Sequence, residues 1–394
     1  MGDEPRVDTR PQASKRPRIL HLLESDGVYG AENVVLNLSR EMARDGVFEP
    51  VVGCLVKNLE ETKGILDRAK EYGLPVLPVL FRNRIFPYDL LATPWRLRRA
   101  GVGLIHSHGY KASILAFVAR AVAGIPVLAT CHLLYVTRSS PVTYRLLVRL
   151  EQILFRRFPR VISVSQAIRD RLVSLGIPAG NAQVISNGIY LSDYVKPEPD
   201  LLRARKLALG LREESVVIVN LARLTEQKAQ RNLLSATKSI ADQGHDVQLL
   251  LVGDGELRPQ LEREIQRSGL EGRVLLLGFR SDSREILQIA DIFALPSLEE
   301  GLPMSLLEAM ATELPVVVST VGAMPDVVRD RQEGLLIPPG DVFRLTSALL
   351  ELIENPALAG TLAAGARRRV EALFSSQRMY EQYRAVYEDL LGVR

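Results

Sequence analysis

The sequence is short of cysteine and of long apolar runs, and it lacks three familiar glycine-containing signatures; each absence excludes a class of protein. Among 394 residues only Cys54 and Cys131 are cysteines, too few for a disulfide framework and without the paired spacing of a zinc site. The N-terminal stretch sets Arg6, Arg10, Lys15 and Arg16 among prolines with no apolar segment behind it, so it does not read as a secretory signal. The longest uncharged apolar stretch, residues 121–137, is broken by Gly124-Ile125-Pro126 and contains His132. A membrane-spanning helix needs ~20 predominantly apolar residues, so no span is predicted and the expected location is cytoplasmic.

The missing signatures remove whole chemistries. Gly253-Asp254-Gly255 follows an apolar run, but Arg258 stands where a dinucleotide fingerprint needs its third glycine. No P-loop is present, so phosphoryl transfer from ATP loses its usual cradle. No Gly-x-Ser-x-Gly elbow occurs, which argues against an α/β-hydrolase.

What is present is an ordinary globular composition, 47% apolar and 24% charged, on a chain long enough for two domains, at most three. The net charge of +4 conceals an asymmetry: residues 1–200 carry +8, residues 201–394 carry −4, and the stretch 72–160 alone carries +11. Such a division suggests that one half faces an anionic partner; a solvated face of arginine-rich helices explains it equally well.

Short apolar runs alternate with amphipathic segments along the whole chain. Strands are predicted at 18–23, 50–56, 75–79, 104–106, 126–131 and 160–164, separated by helices at 31–43, 60–72, 112–121 and 142–155, and Ser165 caps a further helix to about 174. Lys196-Pro197-Glu198-Pro199-Asp200 reads as a linker. The alternation restarts with strands at 216–220, 247–252, 274–277, 292–295, 315–319 and 334–337 and helices at 229–242, 256–268 and 304–311, and the end is helical from 342. This predicts an α/β protein of two doubly wound parallel-sheet domains with a ligand cleft between them: a disordered basic tail at 1–17, a first domain at 18–195, a second at 196–375 and a C-terminal helix at 376–394.

The densest chemical signal is Pro296-Ser297-Leu298-Glu299-Glu300-Gly301-Leu302-Pro303-Met304-Ser305-Leu306-Leu307-Glu308. A strand ends, a loop turns, and a helix begins near Pro303, a residue suited to the first helical position. Free N–H groups around Met304 and Ser305 make an anion site, and two carboxylates beside it can accept hydrogen bonds from ligand hydroxyls. The structural alternative has Glu300 capping the helix and Glu308 pairing with a surface base. Arg223 and Lys228, five apart at the end of the restart strand, could neutralise a diphosphate, or be ordinary helix-start charge.

With these motifs in order, residues 18 to about 390 resemble a retaining glycosyltransferase of family 4 with the two-Rossmann-domain GT-B fold. The resemblance rests on Glu300-x7-Glu308 followed by Ala309-Met310-Ala311, on Arg223-x4-Lys228 and on the Gly253-Asp254-Gly255 turn. Leu277-Gly278-Phe279-Arg280, Asp291-Ile292-Phe293 and Pro338-Pro339-Gly340-Asp341 complete the series.

The resemblance implies that Arg223 and Lys228 hold the diphosphate of a UDP- or GDP-type sugar, Glu308 the ribose hydroxyls and Glu300 the hydroxyls of the transferred sugar. It further implies that the backbone from Leu302 through Met304 to Ser305 cradles phosphate, that Gly253, Gly255, Phe279 and Arg280 line the base pocket, that Gly30 opens a glycine loop near the donor, and that His132 points at the reacting sugar.

The expected reaction is hexose transfer to a saccharide or lipid-linked acceptor in polysaccharide or glycolipid assembly, with no cofactor, no metal and no nucleic acid. Front-face attack is the expected mechanism, with Glu300 as a glycosidase-like nucleophile the alternative. A silent nucleotide-sugar sensor or scaffold, an epimerase, or a phosphorylase would share the fold.

Four motifs depart from the family pattern: Tyr29 and Ala229 stand where glycines are common, Tyr190 where an aspartate is frequent, with Asp193 nearby, and Ala323 and Asp326 within Gly322-Ala323-Met324-Pro325-Asp326. Arg145, Arg149, Arg156 and Arg157 lie on or just after one amphipathic segment. They read either as solvated arginine packed by its stems or as an anionic-membrane or acceptor-phosphate contact, placing the protein at the inner face of the membrane. His106 and His108 flank Ser107 with no third ligand near in sequence, and backbone partners are expected for both.

Overall fold

A computed structural model describes residues 16–25, 27–58, 61, 63–82, 86–132 and 142–393; the tail predicted at 1–17 lies, through residue 15, outside these described residues. Strands β1 (Arg18–Leu23), β2 (Glu49–Val56), β3 (Val76–Leu80), β4 (Val102–His108), β5 (Val127–Cys131), β6 (Val161–Ser163) and β7 (Ala182–Val184) form one sheet in the order β3-β2-β1-β4-β5-β6-β7. Strands β8 (Val216–Leu221), β9 (Val247–Val252), β10 (Val274–Gly278), β11 (Ile292–Leu295), β12 (Val316–Ser319) and β13 (Leu335–Ile337) form a second in the order β10-β9-β8-β11-β12-β13. Every pairing in both sheets is parallel. Helices on both faces bury the central strands: every residue of β5 and β9 is buried, which is why these segments are mostly apolar.

Polar residues are buried in strands of both sheets: Asn220, Gln248 and Ser319 in the second, and a denser group in the first. His21 in β1 and His106, Ser107 and His108 in β4 are all buried. His21 is registered directly opposite His106, so imidazoles from two strands meet on one face.

Helix starts follow local chemistry. The Ser165 hydroxyl accepts from the N–H of Ile168, and Asp341, Asn355 and Ser375 cap three later helices in the same way. Beyond β7 the backbone at Ile189 bridges to Ser375, where the chain returns from the second sheet. Helix Ser376–Leu391 then lies on helix Gly30–Asp45, with Ser376 bonded to Glu41 at 2.6 Å and Tyr380 to Asp45 at 2.7 Å. One apolar cluster, from Ile19 through Leu302 to Tyr387, includes residues of both sheets.

Several local expectations change. The segment read as a linker at 196–200 becomes helix Pro199–Ala208 partway through, because Pro199 is preorganised for a first turn. Helix Phe86–Arg99 carries Pro94 inside it and was missed because proline reads as a break. The helix predicted at 60–72 is described only as Gly64–Glu71; residues 60 and 62 lie outside the described set. Among the described residues no helix is long and apolar enough to cross a membrane.

Candidate active site

In both all-parallel sheets the order of strand addition reverses at a central pair, β1/β4 and β8/β11, where α/β sheets leave a crevice at their carboxyl ends. Loops following β1, β5, β8, β9 and β11 line one shared cleft of about 430 Å³. Of the residues predicted from sequence, Gly30, His132, Arg223, Lys228, Gly253, Phe279, Glu300, Leu302, Met304, Ser305 and Glu308 all line it. Arg280 lines an adjoining hollow that shares Phe279 and Glu308, its guanidinium turned to Asp282 at 2.7 Å. Gly255 does not line the cleft, and its proximity to the Leu224 carbonyl leaves no room for a side chain. Gly253 has φ +135° and lies against the Ala222 carbonyl, so the glycine pair is there to let two turns touch.

Two cations border the cleft, and one of them is held in place. Lys228, ending a short 3-10 turn, places Nζ 2.5 Å from Glu300 Oε1, and Ser297 donates to the same oxygen at 2.7 Å. Arg223 is exposed and has no ion-pair partner among the described residues. Helix Met304–Ala311 begins on the same cleft, with Pro303 extended just before it and not at its first helical position. The residues around that start, Leu302, Met304 and Ser305, border the cleft, so the unpaired N–H groups of the first turn open toward it.

Glu308 is the fifth residue of this helix and is buried. Burial pushes its carboxyl up to about 7, opposed by the Arg284 charge and by hydrogen bonds from Tyr194 and Asn33. It is not paired with a surface base. Asn33 reaches it from the first helix at 3.4 Å, and Asn187 donates to the Leu302 carbonyl at 2.9 Å, so residues of the first domain hold helix Met304–Ala311 and the loop that precedes it. Gly301 packs so closely on the His132 carbonyl that any side chain there would collide. Asn33, Asn187, Tyr194 and Arg284 are not among the predicted site residues; Asn33 follows the Gly30 loop and Asn187 opens the motif that ends at Tyr190, but only the fold shows which groups they meet.

The departures acquire reasons. Tyr29 meets Phe279 edge to face across the cleft, ring centroids 5.8 Å apart. Asp193 pairs with Arg40 at 2.7 Å and with Arg284 at 2.9 Å, joining the first helix to the segment beside Glu308. Ala229 has φ +51°, a left-handed conformation that explains why glycine is common there.

Two expectations need correction. His106 is not satisfied by backbone: its ring nitrogens meet the Tyr387 hydroxyl at 2.8 Å and the Thr130 hydroxyl at 2.7 Å, and His108 bonds to two other imidazoles. A third imidazole does approach, since His21, His106 and His108 have ring nitrogens within 4.8 Å of one another; parallel strand pairing brought His21 in from 85 positions earlier in the chain.

Arg145, Arg149, Arg156 and Arg157 stand apart from the cleft and are exposed. Arg156 bonds the Leu175 carbonyl at 2.7 Å. Arg145 and Arg149 flank a row of exposed apolar residues, Val142, Leu146, Leu150 and Ile153, on helix Val142–Phe155.

The comparisons with known proteins fit this geometry. Residues 28–193 match the family model described as Glycosyltransferase Family 4, and residues 215–355 match that of Glycosyl transferases group 1. The chain is 28% identical over 324 residues to the Escherichia coli UDP-Gal:alpha-D-GlcNAc-diphosphoundecaprenol alpha-1,3-galactosyltransferase, covering 80% of this chain and 83% of that one. It is 26% identical over 312 residues to the Bacillus anthracis N-acetyl-alpha-D-glucosaminyl L-malate synthase, covering 77% and 80%.

Among solved structures, Anabaena HepE in complex with UDP-glucose superposes with a TM-score of 0.82 at 25% identity, covering 94% of this chain and 99% of that one. The sucrose-phosphate synthase of Thermosynechococcus elongatus shares the fold with a TM-score of 0.79 at 21% identity, covering 96% and 100%. With a two-sheet cleft of this construction and family matches over both halves, the chain belongs to the group 1, family 4 glycosyltransferases and has their GT-B fold.

Proposed function

We propose that the protein moves a hexose-type sugar from a UDP- or GDP-sugar to a saccharide or lipid-linked acceptor in polysaccharide or glycolipid assembly, with retention of anomeric configuration. The observation that carries this reading is the convergence of Lys228, Arg223 and the start of helix Met304–Ala311 on one cleft that also holds Glu300 and Glu308. Cleaving a sugar–phosphate bond builds positive charge on the sugar and negative charge on the leaving diphosphate. Fixed cations and helix-end amides stabilise the second of these without a metal ion. Glu308 accepts from ribose hydroxyls and Glu300 from those of the sugar. Relatives support the donor and acceptor classes: HepE is described with UDP-glucose and the E. coli transferase by a diphosphoundecaprenol acceptor.

Incubation with a panel of nucleotide sugars and candidate acceptors, scoring nucleotide release and product anomer, tests the reading. Turnover with retention that is lost in Glu308→Ala and Lys228→Ala supports it. Absence of turnover with every donor and acceptor overturns it, and donor binding without turnover favours the sensor.

We further propose that helix Val142–Phe155 docks on an anionic bilayer at the inner face of the membrane. Its exposed apolar row lies beside exposed Arg145 and Arg149, and helix Phe86–Arg99, packed against the same neighbouring helix Tyr110–Ala123, exposes Tyr88, Leu91 and Trp95. Each basic residue near such a surface contributes ~1 kcal/mol. Sedimentation with phosphatidylglycerol vesicles is expected at low salt and reduced in Leu146→Ser/Ile153→Ser; no sedimentation at any salt removes the docking reading.

A further inference from the structure

We propose that His108 and His21 are positioning residues for His132: the three rings form a hydrogen-bonded row that fixes which nitrogen of His132 carries its proton. The proposal rests on reading the cleft as the donor site, which His132 borders. His132 Nε2 lies 3.0 Å from His108 Nδ1, and His108 Nε2 lies 3.4 Å from His21 Nδ1. The row runs from the interior of the first sheet to its carboxyl edge, from β1 across β4 to the residue following β5. Residues 106 and 108, two apart on one strand, share a face, and the β1 register places His21 on that face as well.

A neutral imidazole has one donor nitrogen and one acceptor. In a row of such rings the choice at one end dictates every other. Burial keeps all three neutral: it pushes His21 down to about 3 and His132 to about 4, and it is the largest influence lowering His108.

The far end of the row is decisive. His21 Nε2 is buried without a hydrogen-bond partner among the described residues. An orphaned buried N–H is rarer than an under-satisfied acceptor, so this nitrogen is the bare one. His21 then donates from Nδ1 to His108 Nε2, His108 donates from Nδ1 to His132 Nε2, and His132 carries its proton on Nδ1.

The row contains no carboxylate, so nothing in it stabilises an imidazolium. His132 is held as an uncharged ring whose one remaining donor is Nδ1–H, suited to a sugar oxygen and not to a phosphate that needs a cation. A metal ion held by His21, His106 and His108 would compete for nitrogens already engaged: both nitrogens of His106 bond to hydroxyls, and both of His108 to imidazoles.

Imidazole 15N NMR on the full-length protein tests this directly, with and without UDP. The expected result is a single Nδ1–H tautomer of His132 in the wild type and a mixed or switched tautomer in His108→Leu and His21→Leu. In the same variants kcat is expected to fall about tenfold, the equivalent of one hydrogen bond, with donor KM unchanged. His108→Asn, whose amide reaches the position of Nδ1, is expected to restore kcat.

A wild-type His132 protonated on Nε2, a His132 tautomer unaffected by both leucine variants, or stoichiometric metal on His21 and His108 in the purified protein each overturn the proposal. Should the leucine variants not fold, the wild-type tautomer and its response to His21→Asn and His108→Asn decide the matter. The tautomer readout needs no turnover, so a failure of the glycosyltransfer reading is seen separately from a failure of the row.

Discussion

Lys228 Nζ and Glu300 Oε1 are 2.5 Å apart at the mouth of the cleft, and both side chains are largely buried. A cation read as a diphosphate ligand and a carboxylate read as a sugar ligand are thus partners of each other before any donor arrives. Their mutual neutralisation lets two charges wait in a poorly hydrated site, and it orients each for a different part of the same ligand. Breaking a buried pair from one side costs about 3–5 kcal/mol because the other charge is stranded. Lys228→Met is therefore expected to lower stability by about that much, and Lys228→Met/Glu300→Gln to recover most of it. Denaturant unfolding of the two single variants and the double variant measures the coupling; additive single effects would contradict it.

Glu308 gives a pH dependence with a definite sign. Its carboxyl titrates at about 7 because it is buried, and a ribose hydroxyl donates best to the ionised form. Donor binding is expected to weaken as pH falls through 7 and strengthen as it rises. Glu308→Gln should bind the donor about tenfold more weakly at pH 8 and show a flat profile. Calorimetric titration with the nucleotide sugar from pH 5.5 to 8.5 reads both effects.

Glu151 offers a test away from the cleft. It is buried on helix Val142–Phe155, accepts from Ser113 at 2.9 Å, and its carboxyl is pushed up by burial from 4.5 to about 7. Between those two values the unfolded chain has released the proton and the folded chain has not. Its contribution to stability is present below 4.5 and lost as pH rises toward 7. Glu151→Gln should raise Tm by roughly 2 °C or more at pH 7.5 and leave it nearly unchanged at pH 4.5. The buried histidines pull the wild-type profile the other way, so the informative quantity is the difference between variant and wild type at each pH.

Ala229 occupies a left-handed conformation beside Lys228. Replacing it by glycine relieves the contact of Cβ with the backbone, and Ala229→Gly should stabilise the fold by ~1 kcal/mol. Chemical denaturation measures the gain, and an unchanged or lower midpoint would refute it.

The legible part of this protein is the part written locally. Arg223, Lys228, Glu300 and Glu308 sit on strand–turn–helix units whose spacing survives in one dimension, and all four line the cleft. The partners of those residues are another matter. Asn33 lies 275 positions from Glu308, and Asn187 115 from Leu302; nothing near either asparagine announces the contact. His21 reads as one polar residue in an apolar strand, and only the parallel register shows that it faces His106. Val142, Leu146, Leu150 and Ile153 repeat at helical spacing, which ordinarily marks a core-facing stripe. Periodicity says that a helix has an apolar face but not whether anything covers it, and here much of that face is open.

The bridge between Ile189 and Ser375 bears on how the two lobes can move. The chain passes between them twice, and the passages are fastened side by side: Ile189 N–H donates to the Phe374 carbonyl at 2.8 Å, and Ser376 N–H to the Ile189 carbonyl at 2.8 Å. A single covalent tether permits swivelling about its own axis. Two tethers laced together resist that torsion and leave flexion about the line joining them as the soft coordinate. The alignment of Gly301 on the His132 carbonyl across the cleft is thus held partly by a pair of backbone hydrogen bonds that lie outside the cleft's lining.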